Sequence, residues 1–470
     1  MPATESGALV HDELHHDPAP HDLMARLADA RQRSDDLFAI VKPDSLYDRP
    51  IAERHRIIFY IGHLEAFDWN LFHERVLGLK SFHPEFDRLF AFGIDPVGGG
   101  LPTDQPSDWP SLTAVREYVT KIRSTLDAKL TEALADSVPP AADGFPLSTL
   151  LNVAIEHRLM HAETLAYMLH QLPLEKKVPH VESLDLAAPP VSQHSIEIPA
   201  GQVTLGLPRD TGVFGWDNEY EAYGVDVPVF AIDRFQVTNE QYLEFMNSGG
   251  YETPAFWGAE NNRQDWDWKS SHQISHPAFW RRQDNRRQDN QWLYRTMFAE
   301  VPLPMSWPVY VSQAEAKAYA RWAGKSLPTE AEWQRAAYGA ENGHDRQYPW
   351  GSGEGSGQRP GEATKQHGNF DFARWSPAPV NAFPQGQSAF GVQGMLGNGW
   401  EWTATEFAPF PGFEPFPFYR GYSADFFDGK HFVLKGGSAR TAVCMLRPSF
   451  RNWFQAHYQF AYTGFRCVKR

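Results

Sequence analysis

The feature that most limits the folds open to this chain is a change of texture near residue 175. Before it, apolar residues recur at spacings of three and four, the mark of amphipathic helices. After it, Gly, Pro, Trp and Tyr punctuate short segments. One chain must therefore build a helical unit first and a loop-rich, aromatic-packed unit second. The spacing predicts four helices, at roughly 22–42, 50–78, 111–136 and 146–172. The third carries Leu112, Val115, Val119, Ile122, Leu126 and Leu130 along one face, and the fourth is opened by a candidate cap, Ser148, and closed by Pro173. Four such helices make a bundle over 21–175, with a long Gly/Pro-rich connection at 79–110. The polar, His-rich residues 1–20 are expected to be disordered and are given no metal role. Residues 176–200, Pro-punctuated and without periodicity, read as a linker. The second unit, 201–470, reads as short strands and irregular loops with two helices, 312–323 and 329–338, the latter opened by a Thr329/Glu332 capping box. The fold class is α+β, multidomain.

Composition removes several classes of function. Acidic residues number 58 against 43 basic ones, a formal charge of −15, and no Lys/Arg cluster breaks the acidic surface, so nucleic acid is not an expected partner. No apolar run reaches the ~20 residues of a membrane span, and no membrane partner is expected. The opening MPATESGALVHDELHHDPAPHD has no basic region followed by an apolar one, so no secretory signal is expected. With only Cys444 and Cys467, no disulfide framework is possible, and a cytoplasmic location is the expectation.

The fourth helix contains IEHRLMHAETLAYML, which places His157 and His161 at i and i+4 on one face, where two imidazoles can grip one ion. A third ligand is offered by His63 in FYIGHLEAFDWN, within an apolar stripe that should face the bundle interior. Imidazole suits zinc, iron, copper and nickel alike, so ligand type leaves the metal open. Three neutral ligands would leave coordination positions for substrate. Zinc there favours hydrolysis or thiol activation, and iron favours oxygen chemistry.

The second unit resembles the formylglycine-generating-enzyme (sulfatase-modifying-factor) fold, which is C-type-lectin-like with little regular structure. Its landmarks are GQVTLG (201–206), LPTEAEWQRAA (327–337), MLGNGWEWT (395–403), LKGGSA (434–439) and GFRCVKR (464–470). The first unit resembles the DinB-like four-helix bundle, whose metal-binding members use three histidines placed as His63, His157 and His161 are. The two in this order resemble the nonheme iron sulfoxide synthases of ergothioneine and ovothiol biosynthesis. LYDRPIAERHRIIFYIGH (46–63), HPEFDRLFAFGID (83–95) and GQVTLGLPRDTGVFGWDNEY (201–220) are closer to the ovothiol type. GNGWEWT, PFPGF (409–413) and RPSFRNWF (447–454) are closer to the ergothioneine type. The chain stops at GFRCVKR, so the methyltransferase domain of ovothiol synthases is not expected. Cys444 and Cys467 lie far apart, unlike the paired cysteines of formylglycine generation, so sulfatase activation is not expected.

The resemblance implies Fe(II) on His63, His157 and His161, with cysteine, hercynine or histidine, and O2 as small-molecule partners. It implies a tyrosine that supplies a proton, for which GFEPFPFYRGYS (412–423) offers Tyr419 and Tyr422. It implies that Arg447, Arg451 and Trp453 in RPSFRNWF bind the imidazole substrate, the arginines through its carboxylate and the tryptophan through its quaternary ammonium. Trp400 and Trp402 read as fold residues. Two departures matter. Relatives using γ-glutamylcysteine carry an arginine that pairs its extra carboxylate where this chain reads Ser107-Asp108-Trp109-Pro110, and losing that cation while gaining Asp108 argues against a doubly anionic donor and for free cysteine. Met160 stands where a glutamine often precedes the last histidine and cannot donate to an imidazole, which keeps both carbon 2 and carbon 5 open. The leading expectation is joining cysteine to hercynine. Also open are an ovothiol-type 5-histidylcysteine sulfoxide synthase, a selenoneine synthase with a selenium donor, a zinc-dependent thiol transferase and a non-enzymatic binding module.

Overall fold

A computed structural model describes residues 20–91, 101–135, 144–260, 262–283, 292–351 and 363–470. The expectation of disorder over 1–20 lies outside them, apart from Pro20, where the first helix begins. The first unit contains α1 (Pro20–Ala39), α2 (Ile57–Phe72), α3 (Pro84–Leu89), α4 (Leu112–Ala135) and α5 (Leu147–Gln171). Helix α1 packs on α5 and α4, and α2 packs on α4, α5 and α3, so the four long helices form the bundle. Helix α4 buries Val115, Tyr118, Ile122, Leu126, Leu130 and Ala133, while Leu112 and Val119 are half-buried at the edge of that stripe.

Helix α2, the 79–110 connection and the cap of α5 differ from the expectations, each for a local reason. Helix α2 starts at Ile57 because the preceding residues close turns, Arg54 N–H donating to Ile51 O and Ile57 N–H to Asp48 O. The short α3 sits inside the 79–110 connection. Pro84 occupies its first turn and His83 Nδ1 accepts from Phe86 N–H at 3.3 Å. Helix α5 is entered from Pro146 without a side-chain cap, and Ser148 lies within the first turn, which corrects its expected capping role. Its end is as Pro173 requires, with Leu172 extended at φ −66°, ψ 135°.

The second unit adds α6 (Asn239–Asn247), α7 (Gln264–Ser271), α8 (Gln313–Trp322) and α9 (Glu330–Tyr338). Thr329 and Glu332 close the expected box on α9: the Thr329 hydroxyl accepts from Glu332 N–H at 3.2 Å and the Glu332 carboxylate from Thr329 N–H at 2.7 Å. A four-stranded sheet runs in the order Asn452–Gln455, His431–Lys435, Trp400–Glu406, Thr463–Gly464, antiparallel except for the last pair. A three-stranded sheet centres on Phe230–Asp233, flanked by Ser195–Ile198 and Val468–Lys469. Its first strand therefore begins inside the segment 176–200 expected as a linker. Further upstream, Glu182 accepts from Ser376 Oγ at 2.7 Å and Ser376 N–H at 2.9 Å, fastening that segment to the second unit. Fully buried Trp216, Trp257, Trp280, Trp307, Trp333 and Trp402 fill the volume that regular structure leaves.

Helix α5 is buried on nearly every side, which explains why its sequence is apolar almost all round. One face meets the bundle and the other meets the second unit, and a single apolar core runs through both units. On the second face Glu156, Glu163 and His170 recur every seven residues, about two helical turns. Each finds an aromatic donor or hydroxyl across the interface. Trp216 Nε1–H donates to Glu156 at 2.8 Å, Trp400 Nε1–H to Glu163 at 2.7 Å, and the Tyr462 hydroxyl lies 3.0 Å from His170 Nδ1. Burial of these carboxylates is costly unless they are paired, so these contacts fix how the two units dock. No helix among the described residues is long and apolar enough to cross a membrane.

Candidate metal centre

Helix α2 presents His63 and helix α5 presents His157 and His161, one turn apart, at the same point of the bundle interior. His161 Nε2 lies 3.2 Å from His63 Nε2 and 3.2 Å from His157 Nε2, and one ligand nitrogen from each ring falls within 4.8 Å of the others. Metal–nitrogen bonds of about 2.0–2.1 Å place neighbouring ligands roughly 3–3.4 Å apart, which these separations match. The carbonyl of Phe90, just past α3, lies 2.7 Å from His63 Nδ1, so Nδ1–H donates there and the Nε2 lone pair faces its partners. Burial pushes His63 down to about 4 and drives His157 and His161 well below the ordinary value. All three rings are buried and neutral, and an ion between the nitrogens relieves lone pairs that otherwise face one another. The donor set fits a divalent transition metal.

The surroundings hold these rings in place. Phe67 stacks on His157 with centroids 3.4 Å apart, and Phe59 on His63 at 4.9 Å. On the far side of the same helices, Arg158 pairs with Glu65 at 2.9 Å and Asp68 at 2.8 Å, and Arg123 pairs with Glu65 at 2.8 Å. Those charges compensate one another within the bundle.

The second unit brings an aromatic run to the histidines. The Tyr419 ring lies 6.2 Å from His157 and 5.3 Å from Phe67. The Tyr422 hydroxyl donates to Met160 Sδ at 3.3 Å, and its ring stacks on Trp216 at 4.0 Å. Burial, with the nearby Asp217 and Glu219 charges, drives the Tyr422 phenol well above its ordinary value. Half-buried Trp453 continues the run, 5.4 Å from Tyr422 and stacked on Phe407 at 4.2 Å.

The two arginines are engaged by the protein itself. Arg447 grips Glu156 at 2.7 and 3.0 Å and Glu219 at 2.8 and 2.5 Å, which ties it to the residue preceding His157. Arg451 pairs with Glu330 at 3.0 and 3.2 Å and lies over Phe410 at 4.0 Å, with its partners all in the second unit. Of the expected substrate contacts, only Trp453 joins the aromatic run. Trp400 and Trp402 anchor the fold, the first through Glu163 and the second through Val311 O at 2.8 Å.

Asp108 is exposed and accepts from Gln105 N–H at 2.7 Å. Its neighbour Trp109 packs on Phe59 at 5.9 Å and donates to Asp104, which also pairs with Arg56 at 2.9 Å and with Arg49. Burial raises both thiols, Cys444 to about 12, so neither is a thiolate near neutrality. Sequence reasoning did not identify Glu156, Glu163, His170, Trp216 or the Phe90 carbonyl. The seven-residue recurrence of polar residues on an apolar helix was a readable signal for the first three.

A histidine-lined bundle docked on a formylglycine-generating-type module defines a class of two-module metalloproteins. The profile of the sulfatase-modifying factor enzyme 1-like domain matches residues 185–470, and that of the DinB superfamily matches 26–165. The hercynine oxygenase of Mycolicibacterium smegmatis is 36% identical over 395 residues, covering 82% of this chain and 83% of that protein. The hercynine oxygenase of Mycobacterium tuberculosis is 35% identical, covering 75% and 76%. Ergothioneine biosynthesis protein 1 of Neurospora crassa is 28% identical over 91% of this chain and 55% of its own length. The chain belongs to the hercynine oxygenase family, with the sulfoxide-synthase arrangement of a DinB-type bundle followed by a sulfatase-modifying-factor-type domain.

Proposed function

We propose that this chain is an Fe(II)- and oxygen-dependent sulfoxide synthase that joins the sulfur of cysteine to the imidazole ring of hercynine, as in ergothioneine biosynthesis. The observation that carries the reading is the convergence of His63, His157 and His161 beside the Tyr419–Tyr422–Trp453 aromatic run of the second unit. Family membership supports it, since relatives of the same two-module build bear the name hercynine oxygenase.

The reaction balances as one cysteine thiol, one imidazole C–H and one O2 giving the carbon–sulfur bond, the sulfoxide oxygen and one water. Bound iron supplies the redox chemistry with oxygen and holds thiolate and imidazole together, which lowers the entropic cost of their meeting. The chain's own residues do the rest. His63, His157 and His161 bind as neutral imidazoles, with the Phe90 carbonyl fixing the His63 tautomer. Tyr419, whose ring lies beside His157, gives up its phenolic proton to the oxygen being reduced, and Tyr422 stands behind it at 5.4 Å. Trp453 offers an aromatic face to the quaternary ammonium. Arg447 positions the site through Glu156 and Glu219, and Arg451 positions the segment through Glu330.

The test is to incubate Fe(II)-loaded protein with O2, paired with cysteine or selenocysteine and with hercynine or histidine, and to read product mass and the lost ring proton by NMR. The reading expects hercynine and cysteine to disappear together with loss of the carbon-2 proton. Loss of the carbon-5 proton with histidine would assign the ovothiol-type reaction instead. Failure to consume either imidazole overturns the reading. Tight stoichiometric zinc, with no oxygen uptake after iron loading, would replace it with a zinc-dependent thiol transferase.

A further inference from the structure

We propose that Asp217 is a positioning residue that clamps the tyrosine-bearing turn Phe416–Ser423 against the histidine helix. This rests on the reading above in so far as Tyr419 or Tyr422 acts in the reaction. Asp217 belongs to the segment Trp216–Glu219, each residue of which makes a different tie. Trp216 donates to Glu156, beside His157, and stacks on Tyr422. Glu219 holds Arg447 and accepts from Ser449 Oγ at 2.6 Å. Asp217 faces the turn itself: Ser423 Oγ donates to its Oδ1, while Asn218 Nδ2 donates to Ser423 Oγ at 3.0 Å.

The turn between is also held by its aromatic side chains, Tyr422 stacking on Trp216 at 4.0 Å and meeting Trp453 at 5.4 Å. Its internal bonds are two backbone contacts, Tyr419 N–H to Phe416 O at 3.0 Å and Tyr422 N–H to Tyr419 O at 3.1 Å. Neither joins it to a helix or a sheet. At its other end the Phe416 backbone N–H also faces the Asp217 carboxylate, so one buried side chain reaches both limits of the turn. Asp217 and Ser423 are fully buried, and Asp217 Oδ2 has no hydrogen-bond partner among the described residues. A buried carboxylate so placed is costly, and no ion pair among the described residues includes it. Its gain lies in fixing where Tyr419 and Tyr422 stand relative to His157. On the bundle side Phe145 meets Phe418 at 5.1 Å and Phe67 meets Tyr419 at 5.3 Å, with Arg75 over Phe418 at 5.8 Å and the Tyr422 hydroxyl donating to Met160 Sδ at 3.3 Å.

The test compares Asp217→Ala, Ser423→Ala and Asp217→Asn with wild type in two readouts. The first is amide hydrogen exchange of peptides covering 412–427 in the protein without added metal. Loss of the Ser423 tie should speed exchange there about tenfold in Asp217→Ala and Ser423→Ala, with α5 unchanged. Asp217→Asn keeps an acceptor for Ser423 and should stay close to wild type. The second readout is the partition of cysteine between sulfoxide and its sulfinate, in which both oxygen atoms of O2 go to one sulfur. A displaced tyrosine should raise the sulfinate share about fivefold or more at unchanged KM for cysteine. In a Tyr419→Phe, Tyr422→Phe background, Asp217→Ala should shift the partition no further. Unchanged exchange overturns the clamp, and so does a partition shift that persists without the tyrosines. Were wild type to form no sulfoxide, the exchange arm alone would decide the clamp, separately from the reading of function.

Discussion

Helix α5 carries two kinds of buried histidine. His170 donates through Nε2 to Arg295 O at 2.7 Å and has the Tyr462 hydroxyl at Nδ1, so both ring nitrogens are satisfied by the second unit. His157 and His161 aim Nε2 at each other and at His63, and their Nδ1 atoms have no hydrogen-bond partner among the described residues. Burial lowers the pKa of all three, so neither burial nor the direction of titration separates them. What separates them is where the lone pairs go. A structural histidine closes its valences within the protein, and a ligand set leaves them converging on one point.

The sharpest way to break that comparison is to exchange the roles. His161→Ala should lower metal affinity about a hundredfold or more, read as metal content after dialysis, whereas His170→Gln should keep full stoichiometry. Equal losses in both would erase the distinction. The next largest effect falls on the interface between the two kinds of site. Arg447→Ala leaves Glu156 and Glu219 buried without a cation and should cost about 3–5 kcal/mol in denaturant unfolding. Trp216→Phe keeps the stack on Tyr422 but removes the donor to Glu156, for an expected loss of about 1.5–3 kcal/mol.

The smallest effect belongs to His170. Its pKa falls to about 3 because of burial, with the Lys177 charge adding to it, so the unfolded chain binds more protons between about 3 and the ordinary 6.5. Stability therefore rises with pH through that window and is lost on acidification. His170→Gln keeps a donor and an acceptor, should cost about 1 kcal/mol at pH 7, and should flatten the acid limb of the stability profile. An unchanged acid limb would show that His170 does not contribute to it.

Much of this was legible in the chain because it is local. The i, i+4 histidines, the apolar stripe around His63 and the Thr329/Glu332 box all depend on helical spacing, which sequence displays directly. The start of α2 and the cap of α5 were less so, because turns before Ile57 override the periodic pattern and α5 is entered from Pro146 without a side-chain cap. The roles of Arg447 and Arg451 were least legible. A guanidinium in a motif shows that it will bind a carboxylate, but whether that carboxylate is substrate or Glu156 depends on a contact between residues hundreds of positions apart. The Phe90 carbonyl is a backbone atom, and nothing in its residue type marks it as the partner that sets the His63 tautomer.

The central claim, that three imidazoles from two helices close on one ion, is tested most directly by X-ray absorption at the iron edge of the Fe(II)-loaded protein. The expected result is one iron per chain with three imidazole scatterers, falling to two in each of His63→Ala, His157→Ala and His161→Ala and staying at three in His170→Gln. An imidazole count that any of the first three substitutions leaves unchanged would contradict it.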